Sequence, residues 1–179
     1  MKPSPAEIAL FLFELIMNIY KPAYLAAFLA FIPLSRRELR EEDRARVQME
    51  LMYLQAFIND YSIWAIYGGG VEGANIMFAF EEHLRAFEKE EGRAATIHKI
   101  MRGRVDVYAE IIGNEVLQPD KTWGLIQLGE EFANFCGHPE DVCLSTAASM
   151  YFGATFLATS KAIKEFANGN VGPTGASHG

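Results

Sequence analysis

Cys136, His138 and Cys143 form the tightest group of metal-ligating residue types in the chain, spaced C-x-H-x4-C with Asp141 among them. One turn between two helices could bring a thiolate, an imidazole and a second thiolate to a single zinc ion. The spacing is not that of a familiar zinc motif, however, and no fourth ligand stands out. The competing reading takes His138, just before Pro139, as part of a helix start, and both cysteines as small core residues.

A second chemistry would use carboxylates inside a bundle. Glu14, Asp60 and Glu110 each lie among apolar neighbours, and Asn59 precedes Asp60. A buried acid must be paired, metal-bound or protonated. A di-iron bundle would place Glu-x-x-His on two helices, whereas Phe80 stands three before His83 and Ala95 three before His98. Hydrogen-bonded structural acids are therefore the preferred reading. Asn59 and Asp60 are the most informative of these polar residues, because they interrupt Phe57-Ile58 and the run from Tyr61 to Tyr67; Lys21, Arg102 and Arg104 are the candidate partners of Asp60. No grouping of serine, histidine and acid suggests a nucleophilic triad.

Residues 68–73 spell G-x-G-x-x-G. A dinucleotide fingerprint needs a strand before it and a further strand carrying an acid about 20 residues on. Here the upstream segment keeps helical periodicity and another amphipathic helix follows, so the glycines read as a helix terminator and turn. No cofactor is expected.

These residues need long helices to hold them. Ser35-Arg36-Arg37-Glu38 has the capping-box pattern and predicts a helix over about 36–67. Its first turns are charged, and from Val47 the apolar positions 47, 51, 54, 58, 61 and 65 recur at steps of three and four, with further aromatics widening the stripe. Such a helix is roughly 48 Å long, and its second half should be buried on nearly all sides. Ser4-Pro5-Ala6-Glu7 starts a first helix that reaches about Tyr20, Pro22 breaks it, and a second apolar piece runs to Ile32. Further helices are expected at about 75–91, 93–112 and 121–136, with Asp120 as a cap for the last of them. A final helix begins at Pro139. It carries no charge between Val142 and Ser160, and Ser145, Ser149 and Gly153 lie four apart, a spacing that lets another helix approach closely.

The fold class is thus all-α: a single-domain bundle of six or seven helices over residues 1–167, with residues 47–67 and 142–160 at its centre. Residues 1–34 form an apolar helical hairpin or anchor, and 168–179 a flexible glycine-rich tail. With 179 residues, half of them hydrophobic, the chain can bury a sizeable core. A net charge of −7 without a dense basic run argues against nucleic acid as a partner. Two cysteines make no disulfide framework and no signal-like segment is evident, so a reducing cytoplasm is the expected compartment.

With no catalytic set in view, the favoured class is a non-enzymatic interaction or assembly protein, a homo-oligomer, with a further protein partner compatible. One alternative is a bundle that binds a small apolar ligand or metal, with catalysis as an extension. Another is a membrane-associated protein anchored through residues 8–33. Glu14, Lys21 and Pro22 in mid-span weigh against that, since each central charge costs roughly 2.5 to 3.5 kcal/mol on insertion.

Overall fold

The computed structural model describes residues 2–19, 21–32, 40–90, 96–115 and 123–168. Seven helices lie among them, and no strand: α1 (Pro5–Asn18), α2 (Pro22–Leu29), α3 (Glu41–Tyr67), α4 (Val71–Glu90), α5 (Thr96–Glu115), α6 (Trp123–Phe135) and α7 (Val142–Ala167). The all-α bundle and its long central helix are as expected. The Ser35 capping box, the Asp120 cap and the glycine-rich tail beyond Asn168 fall outside the described residues.

Where a helix starts follows from its first-turn chemistry. Ser4 accepts from the Glu7 amide at 3.3 Å while Glu7 accepts from the Ser4 amide at 2.7 Å, the reciprocal cap that starts α1. Helix α3 begins at Glu41 rather than 36, because Arg40 is extended (φ −62°, ψ 156°). That register puts Glu41, Glu42 and Asp43 at the positive end of the helix dipole, where a start at Ser35 would have put Arg36 and Arg37. Arg40 makes no side-chain cap bond but pairs with the first-turn acids, at 3.1 Å from Glu42 and 3.0 Å from Asp43. Helix α7 begins at Val142, not Pro139, because the Asp141 side chain accepts from the amides of Cys143 and Leu144.

Helix α3 touches α1, α4, α5, α6 and α7. Its 27 residues span about 40 Å, and every residue from Glu50 to Asn59 is buried. A helix ringed by neighbours needs no polar face, which is why its amphipathic pattern fades after Val47. The ring stack of Tyr108, Phe57, Phe152 and Tyr61 fills the space between α3, α5 and α7. The last turn of α3 departs from the expected burial, with Trp64 57% exposed.

Helices α1 and α2 meet at a bend of 71°, so they do not form one straight apolar span. Ile8, Leu12 and Ile16 of α1 enter the core, and Phe28 of α2 packs its ring against Phe132 and Tyr151. Helix α6 lies along α7 at very short range. A Cβ on Gly129 would overlap the Ser145 carbonyl and the Ser149 hydroxyl, so only glycine permits this approach. The Ser149 hydroxyl in turn donates to the Leu125 carbonyl at 2.7 Å. The serine spacing on α7 therefore serves a helix contact, with α6 as the partner.

Candidate functional site

The structure does not assemble the cysteine and histidine group into a metal site. Cys136 is fully buried, and burial pushes its thiol well above the ordinary range, the reverse of what a thiolate ligand requires. His138 turns to α3, where its Nε2 lies 3.3 Å from Asp43 Oδ1. Asp141 is spent on the α7 cap, and Cys143 sits half-buried beyond it. Among the described residues, no three His, Cys, Asp or Glu side chains converge as a metal site would need.

Two of the acids expected inside lie outside. Glu14 and Glu110 are exposed, because each falls on the solvent strip of its own amphipathic helix. Asn59 is fully buried and satisfied: it donates to the Leu12 carbonyl at 3.0 Å, accepts from Gln55 at 2.9 Å, and so ties α3 to α1. Two buried acids that sequence reasoning missed are Asp43, held by Arg40 and His138, and Glu50. Arg104 donates to both oxygens of Glu50, at 2.9 and 3.0 Å, and lays its guanidinium 3.4 Å from the centre of the Phe135 ring. For Glu50 the signal was present, since it stands three after Val47 and four before Leu54 on the apolar stripe. The charged turns just before it masked that position.

Asp60 is the exception among these acids. It is half-buried, and among the described residues its carboxylate receives no hydrogen bond and makes no ion pair. Burial raises its pKa above the ordinary carboxylate value; Arg102 offsets this, while Glu81 and Asp106 add to it. Arg102 is committed to Glu81 and Arg104 to Glu50, and among the described residues none of the three expected partners, Lys21 included, forms an ion pair with Asp60.

The Asp60 side chain borders an open hollow of about 150 Å³ whose other walls are Ile63, Trp64, Met77 and the glycine turn. Gly68 ends α3 with φ +63°, a conformation that favours glycine. Gly73 brings the first turn of α4 against that end, where a Cβ would stand 3.2 Å from the Gly68 carbonyl. The glycine run is the terminator and turn expected of it.

Helix α7 is apolar on both sides. Its inner face buries Leu144, Tyr151, Phe152 and Ile163 together with three hydroxyls: Ser149 bonds α6, Ser160 donates to Ser62 of α3 at 3.2 Å, and Thr159 is buried. Its outer face carries Val142, Thr146, Met150, Ala154 and Leu157, with Val142 74% and Leu157 69% exposed. Gly153 opens onto the same side with nothing near its backbone. Glu140 stands before this face, and Lys161 and Lys164 at its far end, all exposed. The charge-free stretch thus covers only half a core helix, which corrects the expectation that 142–160 is central throughout. Helix α7 is also the one described helix long and apolar enough to cross a membrane, though a third of the relevant stretch is buried within the bundle.

Comparison with family models finds no match, and no curated protein or solved structure matches the chain.

Proposed function

We propose that this protein is a non-enzymatic assembly module that forms a homodimer through the outer face of α7. The observation that supports the reading is the exposed apolar face of that helix: Val142, Met150 and Leu157 are turned out, while Ser149, Thr159 and Ser160 are turned into the bundle. A solvated helix places these groups the other way round.

The second copy is favoured as occupant by charge. Glu140 lies at one end of the uncharged face, and Lys161 and Lys164 at the other. An antiparallel two-fold pairing about Gly153 brings Lys164 of each copy to Glu140 of the other, and Met150 to the Ala154–Leu157 turn. Gly153 and Ala154 let the two helices come close at the crossing.

Disulfide trapping tests this arrangement in full-length protein carrying Cys143→Ser. An Ala154→Cys variant, placed near the two-fold axis, should oxidise to a covalent dimer. A Val142→Cys variant should not, since antiparallel copies hold that position roughly 33 Å apart, 22 residues along the helix at 1.5 Å each. Equal trapping at both positions, or none at Ala154→Cys, overturns the arrangement.

A further inference from the structure

We propose that the hollow at the α3–α4 turn, between Asp60 and Trp64, binds an alkylammonium group.

The walls match each part of such a ligand. Trp64 stacks one face of its indole on Tyr61, with ring centres 5.8 Å apart, yet the residue stays 57% exposed and borders the hollow. A fixed, accessible indole is the best aromatic partner for an organic cation. Asp60 stands on the same border, one helical turn before Trp64, and supplies the counter-charge. Ile63 and Met77 give the alkyl chain an apolar wall. The volume of about 150 Å³ suits a short alkylamine or the end of a lysine side chain, and is small for an aromatic ring system with substituents.

The surrounding charges favour a cation too. The groups acting on Asp60 are Glu81 of α4 and Arg102 and Asp106 of α5. With Arg85, which joins Arg102 at Glu81, the cluster holds three carboxylates, Asp60 included, and two guanidiniums; Arg102 acts on Asp60 only from a distance, its ion pair being with Glu81. The hollow also adjoins the carbonyl end of α3, whose last turn holds no basic residue. The opposing amide end of α4 carries Glu72, which pairs with Lys2 at 2.8 Å. A half-buried carboxylate with no direct hydrogen bond or ion pair among the described residues costs stability, and a ligand cation would reduce that cost.

The probe is n-butylammonium, titrated into nitrogen-15-labelled full-length protein and followed by NMR. The expected result is a saturable shift of the Trp64 indole and of the Gly68, Gly69, Gly70 and Gly73 amides, with affinity falling about tenfold or more in Asp60→Asn. The uncharged analogue n-butanol should leave these signals in place. Trp64→Leu, at an exposed position, should weaken binding while the spectrum elsewhere stays folded. Equal affinity in Asp60→Asn, equal shifts with n-butanol, or shifts that never saturate would each overturn the site. The capped tripeptide acetyl-Gly-Lys-Gly-amide separates the two sources of the cation. Binding at least as tight as n-butylammonium assigns the hollow to a protein lysine, and weaker binding assigns it to a free amine; both uphold the site. Because the hollow lies apart from the outer face of α7, the assembly reading and this one fail independently.

Discussion

Neighbours on one helix, Asn59 and Asp60, have opposite fates. Asn59 points to α1 and is satisfied by Leu12 and Gln55, whereas Asp60 points to a hollow and makes no bond among the described residues. Both could be singled out from sequence, because a polar pair interrupting an apolar run must be accounted for. Their different partners could not, since those depend on which helix lies 100° further round. Glu50 was illegible for the opposite reason: it continues a charged stretch in sequence while standing on the buried stripe in space. For Asp60 the pH dependence has a definite sign. Its folded pKa lies above the unfolded value, so the residue is least costly below about pH 3.8 and its ionisation destabilises the fold as pH rises through the folded pKa. Asp60→Asn has no such charge to bury. Urea midpoints should be higher for Asp60→Asn than for the parent at pH 7, and the gap should close in acid. A lower midpoint at pH 7 would mean that the carboxylate has a stabilising partner.

At the scale of elements, caps were the most legible feature and contact geometry the least. The Ser4 box and the Gly68 terminator rest on a few local residues and act as their spacing implies, whereas the Asp141 cap was passed over because Pro139 offered an earlier start. The start of α3 was misplaced because two overlapping patterns, a serine box and an acidic first turn, compete within six residues; the acids at Glu41 to Asp43 define the helix start that is seen. The spacing of Ser145, Ser149 and Gly153 announced a close helix contact, which Ser145 and Ser149 make and Gly153, on the outer side, does not; it did not announce the partner's own small residue. That residue is Gly129 of α6, over which the two helices nearly touch. Gly129→Ala gains helix propensity but drives a methyl into the α7 backbone, and the second effect wins because helix separation must grow along the whole contact. The expected loss is about 2 kcal/mol in chemical denaturation. Gly153→Ala, on the open outer side, should raise monomer helix stability by up to about 1 kcal/mol. Equal effects of the two substitutions would contradict the close approach of α6 and α7.

For the whole molecule, composition announced more apolar surface than one bundle of this size needs, and that surplus is now located. Part of it surrounds α3 on all sides; part lies outside, on α7, at Trp64, and singly on other helices, as at Phe78 of α4 and Ile126 of α6. The surplus at residues 8–33 was the more conspicuous in sequence, and Ile8, Leu12, Ile16 and Phe28 of it are drawn into the core. An uncharged run looks the same whether a helix is buried on both sides or on one, which is why α7 was read as wholly central. The central claim is that its outer face is covered by a second copy. Sedimentation velocity of the full-length protein without detergent, compared with Leu157→Glu, tests it most directly. A dimer at micromolar concentration is expected for the parent and a folded monomer for Leu157→Glu, with circular dichroism unchanged. A parent that sediments as a monomer throughout, or a Leu157→Glu variant that remains dimeric, would contradict it.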